Sequence, residues 1–268
     1  MTSPPSPDID RLLAPLPEDW QRRLRHAHAA RVNAGLCNEV YRLTADEGVF
    51  ALRLNHPHPD ALGIDTARER QVLNTIAGQP WAPIVHHHDA HSMLSEWMHG
   101  EAPLGGASTR LHWLAHALES VHTITTPLPV IDIPEQMTRL AQRCGPEASA
   151  AQRRVDALLT HYQPPNCRVL CHHDWHPGNL LIGRGGWTLL DWEFAGAGDP
   201  RLDVGGAING FALNSDQITT LSRMTGFGVS ELKRASAIMT ALERLWFAAN
   251  PTLTDDAQLR LRQWIEAN

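Results

Sequence analysis

No run of about 18 apolar residues occurs in this chain of 268 residues, so no membrane-spanning helix is expected. Basic residues are not in excess. The 23 Lys and Arg stand against 29 Asp and Glu, a net charge of −6 with histidine neutral. A groove for a nucleic-acid backbone usually shows as surplus Lys and Arg, so nucleic acid is not an expected partner. Cysteine is scarce. Cys37, Cys144, Cys167 and Cys171 form no CxxC pair, which points to reduced thiols and not to a disulfide framework. The stretch Met1 to Asp10 is rich in Pro and acid and lacks the basic and apolar blocks of a signal peptide. There is no internal repeat and no low-complexity tract. These absences lead to the expectation of a soluble cytoplasmic protein. A composition of 43% hydrophobic and 19% charged residues is that of a globular chain, long enough for one large domain or two lobes.

The pattern along the chain changes character. Residues 1–24 read as a Pro-punctuated leader with a short helix whose apolar side is Leu12, Leu13, Leu16 and Trp20. Val40–Leu43 and Val49–Leu54 read as strands joined by the tight turn Ala45-Asp46-Glu47-Gly48, a hairpin. Residues 64–77 read as a helix, and 83–88 and 93–97 as further strands. The connector Gly100 to Gly106 holds three glycines, and helical spacing dominates after it. Short apolar runs return at 168–170 and 180–190 and bracket a polar loop. The expected class is α+β with two lobes: a small strand-rich part over 1–97, a connector over 98–106 and a larger, mainly helical part over 107–268.

The chemistry concentrates in Val169-Leu170-Cys171-His172-His173-Asp174-Trp175-His176-Pro177-Gly178-Asn179, followed after an apolar run by Leu190-Asp191-Trp192-Glu193. Transfer of a phosphoryl group needs a carboxylate that orients the attacking hydroxyl and accepts its proton. It also needs hard oxygen ligands for Mg²⁺. Asp174 suits the first need, and Asn179 and Asp191 the second. Pro177 and Gly178 would turn the chain so that Asn179 returns toward Asp174. The spacing HxDxxxxN, an apolar strand and then Asp is the kinase catalytic pattern.

These residues resemble the aminoglycoside phosphotransferase/choline kinase family, whose fold is protein-kinase-like. His172 to Asn179 resembles that family's H-G-D-x-H-P-G-N loop, with His173 in place of a small residue. Leu190 to Gly196 resembles the I-D-W-E-Y-A-G variant of its bacterial thiamine kinase and choline kinase branches, and Gly198-Asp199-Pro200 and Leu202-Asp203-Val204 continue the likeness. The resemblance implies an ATP- and Mg-dependent small-molecule kinase with a nucleotide-binding first lobe and a catalytic and substrate second lobe. It also implies that Gly35 and Asn38 belong to a phosphate loop, although only one glycine is present where kinase loops carry several. Arg53 then stands where a nucleotide-binding Lys would. Its partner would be Glu69 or Asp65. Ser95, Glu96, Trp97 and Met98 would meet adenine through the backbone. For a cationic alcohol such as thiamine or choline, Trp175, Trp192, Glu193 and Asp199 are candidate walls, since aromatic faces and carboxylates hold cations.

Other readings remain open at this level. Asp174 and Asn179 could be turn-formers, and Arg53 a solvated residue at a strand end. Glu69 could pair with Arg68 or Arg70 on a charged helical face. The acceptor could be an aminoglycoside or a cell-wall sugar, and the donor GTP. The histidines at 86–88 and 172–176 could suggest a metal-dependent hydrolase, although adjacent strand residues point to opposite faces and cannot all ligate one ion. A catalytically inactive kinase-shaped binding protein is the third possibility, opposed by the presence of Asp174, Asn179 and Asp191 together. His172 reads best as a hydrogen-bonding group that steadies the loop.

Overall fold

Alternation along the central strand decides the architecture of the first part of the chain. In the computed structural model, which describes residues 8–32, 37–103, 107–125, 127–166 and 168–267, two short helices open the chain, α1 (Ile9–Leu13) and α2 (Glu18–Leu24). Strands β1 (His28–Arg31), β2 (Glu39–Ala45) and β3 (Gly48–Leu54) follow, then helix α3 (Thr66–Ile76), β4 (Val85–His88) and β5 (Ser92–Glu96). The strands form one antiparallel sheet in the order β1-β2-β3-β5-β4, so β3 is central. Side chains alternate with a period of two on a strand. Phe50 and Leu52 of β3 therefore share one face, where they pack with Leu12, Leu13, Leu16, Trp20 and Leu24 of the opening segment. Arg53 falls on the opposite face. The hairpin expected at 40–54 is present, with Ala45 opposite Gly48 and a two-residue loop.

Helix α3 begins at Asp65, whose carboxylate accepts the backbone N–H groups of Ala67 and Arg68, both at 3.0 Å. This N-cap consumes Asp65.

The rest is mainly helical: α4 (Ala107–His122), α5 (Ile133–Gln142), α6 (Ala148–Leu159), α7 (Pro200–Gly210), α8 (Ser215–Thr225), α9 (Val229–Ala249) and α10 (Ala257–Glu266). Ile133, Met137, Leu140 and Ala141 recur at helical spacing and close one core with Ala151, Val155, Leu202, Ile238, Leu245 and Leu261. Two small antiparallel pairs are inserted. Strand β6 (Val169–Cys171) pairs with β9 (Gly196–Gly198), and β7 (Leu180–Gly183) with β8 (Gly186–Leu189).

Two compact units result. The first is Met1–Glu101 with Leu181–Glu193, the second Ala102–Leu180 with Phe194–Asn268. The β7–β8 segment therefore counts with the strand-rich unit, although a division at a single connector would have kept it in the helical part. Its attachment is visible in side chains. Trp81 stacks on Trp187 at 5.5 Å and on Trp192 at 5.7 Å, and the Leu189 N–H donates to the Trp81 carbonyl at 3.0 Å. No helix among the described residues is long and apolar enough to cross a membrane. Cys37, Cys144 and Cys171 form no disulfide. Gly35 of the expected phosphate loop, Gly105 and Gly106 of the connector, and Cys167 lie outside the described residues.

Candidate active site

In the first unit Arg53 is 6% exposed, which excludes the reading of a solvated strand end. Its guanidinium grips Glu69 with two bonds, Nη1 to Oε1 at 2.8 Å and Nη2 to Oε2 at 2.6 Å. Asp65 is spent on its cap, so the choice of partner resolves to Glu69, one turn into α3. Burial alone would raise the Glu69 carboxyl. The Arg53 charge and then hydrogen bonds from His88 and Arg53 outweigh it and hold the group down at about 2. Arg53 also donates to Asn55 Oδ1 at 3.0 Å and to Asp191 Oδ1 at 3.3 Å, and it lies 4.0 Å from Glu193 Oε2.

Asp191 follows β8 with φ 62, a left-handed conformation that an L-residue holds only under constraint. Its side chain is 38% exposed, which suits a carboxylate that must reach a ligand. Glu193, two residues on, is buried. Burial and the neighbouring Asp191 charge push its carboxyl up to about 8, against the opposing pull of Arg53 and Asn38. Asn38 donates from Nδ2 to Glu193 Oε2 at 2.6 Å and accepts the His56 N–H at 3.1 Å. The structure thus gathers Asn38, Arg53, Glu69, Asp191 and Glu193 into one network, with Asn38 turned to Glu193.

Of the adenine-contact candidates, two have their backbone amides paired within the protein. Ser95 lies within β5 opposite Ala51. The Glu96 N–H donates to Ile84 O and the Trp97 N–H to Val49 O, both at 2.9 Å, so the sheet consumes both amides. Of the four residues, Met98 follows these bonds. Trp192 is 1% exposed, stacked on Trp81, and donates from Nε1 to its own segment at Leu189 O. It is a core residue and not a substrate wall.

In the second unit the segment between β6 and β7 folds back on itself. His176 accepts the Gly178 N–H at its Nδ1, 3.0 Å away, and the turn Pro177–Asn179 closes with the Asn179 N–H on His176 O at 3.1 Å. A Cβ at position 178 would lie 2.8 Å from the His176 ring, so the turn takes glycine there. Asn179 then donates from Nδ2 to the Asp174 carbonyl at 3.0 Å and to Asp174 Oδ2 at 2.8 Å. His176 Nε2 lies 3.5 Å from the same carboxylate, whose side chain is 40% exposed. Burial would raise the Asp174 carboxyl, but His176, His172 and Asn179 hold it below the usual range, so it is an anion at neutral pH. The Asn179 amide is spent on Asp174, which leaves its carboxamide oxygen as the atom a cation would meet. The Asn179 carboxamide oxygen and the Asp191 carboxylate are each the hard ligand type that Mg²⁺ prefers.

This loop is anchored from below by Asp203, which is 0% exposed. Asp203 accepts the His173 N–H at 2.7 Å, the His172 N–H at 3.1 Å and His122 Nε2 at 2.9 Å. Burial opposes its charge, but these donors hold its carboxyl well below the ordinary value. His172 is fully buried and its Nδ1 accepts the Asp174 N–H at 3.3 Å, the steadying part expected of it. In the sequence Asp203 stands out only as part of a likeness, and His122 carries no signal. Their partners are 31 and 81 residues away, beyond any local pattern. Cys171 stands near His122 and Asp203. The Asp203 oxygens are already committed, and burial pushes the Cys171 thiol up, so it stays protonated. Trp175, 2% exposed, packs edge-on to His172. Asp199 caps α7 through the Arg201 N–H, pairs with the Arg201 side chain at 2.8 Å and accepts the Tyr162 hydroxyl at 3.0 Å. Trp175 is buried, and Asp199, also buried, lines a pocket beside Tyr162 and Arg201.

The three histidines on β4 serve three different partners and do not converge on one ligand position. His86 stacks on Trp20, His87 lies 3.1 Å from Asp89, and His88 reaches Glu69 at 3.0 Å.

Residues 28–237 match the model of the phosphotransferase enzyme family. A thiamine kinase of Escherichia coli is 28% identical over 186 residues, which cover 64% of this chain. The match spans 62% of that relative's length, under two thirds. Among solved structures, the choline kinase LicA from Streptococcus pneumoniae superposes with a TM-score of 0.76 at 15% identity, covering 93% of this chain and 96% of that one. The macrolide 2'-phosphotransferase MphH from Brachybacterium faecium gives 0.66 at 19% identity, over 97% and 98%. At such identities the likeness establishes a shared fold.

Proposed function

This chain belongs to the phosphotransferase enzyme family, and from that premise we propose that it is a small-molecule kinase that moves the terminal phosphoryl group of ATP to an alcohol. The observation that carries the reading is the Asp174 carboxylate. It is ionised, half-open to solvent and fixed by Asn179 at 2.8 Å. Such a group orients an attacking hydroxyl and takes its proton as the new O–P bond forms and ADP leaves. Arg53, permanently charged and braced by Glu69, would bind phosphate oxygens. Asn179 and Asp191 would hold Mg²⁺, which when bound neutralises charge on the phosphates. His172, Asn179 and Asp203 keep Asp174 in place.

For the acceptor, we propose a small cationic primary alcohol, with thiamine first to test. Support comes from the likeness to thiamine kinases and the Asp191-Trp192-Glu193 wording. Trp175, Trp192, Glu193 and Asp199 are all buried, so the support for a cationic acceptor is the likeness and not the exposure of these four. The test is ATP consumption with Mg²⁺ and thiamine, choline, a neutral sugar or an aminoglycoside. Asp174→Asn should lower turnover on the active acceptor by about 10²–10⁴-fold while thermal stabilisation by ATP–Mg²⁺ persists. Near-normal turnover would remove Asp174 from this part. Phosphorylation of the sugar alone would overturn the cationic acceptor and leave the kinase reading standing.

A further inference from the structure

Glu69 Oε2 has two donors, Arg53 Nη2 at 2.6 Å and His88 Nε2 at 3.0 Å. The His88 side chain is 4% exposed, and its other ring nitrogen, Nδ1, has no hydrogen-bond partner. A buried imidazole with an unsatisfied nitrogen is disfavoured, and an apolar side chain would fill the place without that loss. The compensation is the bond from Nε2. Its importance lies in the divided position of Arg53. That guanidinium sits on Glu69 but also reaches Asp191 Oδ1 at 3.3 Å. Asp191 is the candidate metal ligand, and an oxygen engaged by a guanidinium is less available to a hard cation. Arg53 Nη1 serves both carboxylates at once, nearer to Glu69 at 2.8 Å than to Asp191 at 3.3 Å, so a fixed Glu69 limits how far Arg53 can close on Asp191.

We propose that His88 is a positioning residue for phosphoryl transfer: by holding Glu69 Oε2 it keeps Arg53 nearer Glu69 and limits how far the guanidinium closes on Asp191, the candidate metal ligand. The inference rests on the reading of Arg53 and Asp191 given above. His88 touches no reacting atom and acts through Glu69 alone. A glutamine retains a donor for Glu69, whereas a leucine fills the space without one. The two substitutions therefore separate positioning from packing.

The experiment follows the thermal upshift produced by ATP as Mg²⁺ is raised, in the full chain without an acceptor. His88→Leu should need about tenfold more Mg²⁺ than wild type for the half-maximal upshift, the scale on which groups behind a metal ligand act. His88→Gln should recover most of that loss. If leucine unfolds the protein, His88→Met takes its place as an unbranched apolar filler. Titration of the apolar variant within about twofold of wild type, or a glutamine variant as impaired as the apolar one, overturns the part given to His88. A wild-type protein with no upshift by ATP and Mg²⁺ overturns the reading of the site and the inference with it. A wild type that titrates normally beside an unaffected leucine variant overturns the inference alone.

Discussion

Glu69 in the strand-rich unit and Asp203 in the helical unit are both sealed carboxylates, but they are held by different kinds of partner. Glu69 faces a mobile kind of donor, the side chains of Arg53 and His88. Asp203 faces backbone N–H groups of His172 and His173, with His122 behind them. A side-chain ion pair can be redistributed, and Arg53 has Asp191 and Glu193 within reach to take over part of the pairing. Two backbone amides cannot turn elsewhere without moving the chain. The contrast suits the two proposed tasks. A phosphate clamp has to exchange partners as nucleotide arrives, whereas the segment that carries the hydroxyl-orienting Asp174 has to stay still.

The sharpest way to break that contrast is to remove each carboxylate. Asp203→Ala strands two buried amide donors and leaves His122 Nε2 without its partner. At about 1–3 kcal/mol for each of these three unsatisfied groups, the expected loss is about 3–9 kcal/mol. Turnover should fall in the protein that remains folded. Glu69→Gln leaves Arg53 with Asp191 and Glu193 as replacements, so its loss should be smaller, about 2–3 kcal/mol. Chemical denaturation of both variants gives the two figures. Equal losses would mean that the second unit also has reserves, or that the first has none.

Acid sharpens the same comparison through one proton. The Glu69 carboxyl lies at about 2 in the folded chain against 4.5 unperturbed. A depressed folded pKa stabilises above the unfolded value and loses that contribution as pH falls through the folded one. Glu69 therefore contributes fully above pH about 4.5, and its contribution disappears on the way down to about 2. The pH dependence of wild-type unfolding should show this loss, and Glu69→Gln should flatten that window. An unchanged acid slope in Glu69→Gln would show that Arg53 had been serving Asp191 and Glu193 instead.

Which parts of this could be read from the sequence follows from how far apart the partners lie. The hairpin over β2 and β3, helix α3 and the loop from His172 to Asn179 were legible, because a turn, a cap or a short motif declares itself within a dozen residues or fewer. Asp174 and Asn179 are five residues apart, and their contact followed from the Pro177-Gly178 turn. The choice of Glu69 over Asp65 needed the cap geometry, which ties up Asp65. The inward turn of Trp192 required Trp81, more than a hundred residues earlier. Likewise the bond from Asn38 to Glu193, 155 residues away, has no local signal. Sequence pattern conveyed which side chains carry chemistry. It did not convey which of them the core would claim.

The smallest expected effect concerns His173, where this chain departs from the small residue usual in the loop it resembles. His173 has φ 65, a left-handed backbone that costs an L-residue about 1–2 kcal/mol. Its ring offsets part of that through Nδ1, 3.2 Å from Phe194 O, and by lying against Gly198. A Cβ at Gly198 would come within 2.8 Å of His173 Nε2 and 3.3 Å of Cys171 Cβ. Gly198→Ala should therefore cost about 1 kcal/mol, the scale of mild overpacking. His173→Gly removes the strain and the ring together while its backbone N–H keeps Asp203, so its own effect should stay within about 1 kcal/mol. In the double variant the alanine should cost almost nothing, because its neighbour is gone, so the two changes should be clearly non-additive. Additive losses in the denaturant midpoints would mean that the Gly198 constraint comes from Cys171, and that the His173 ring does not lean on β9.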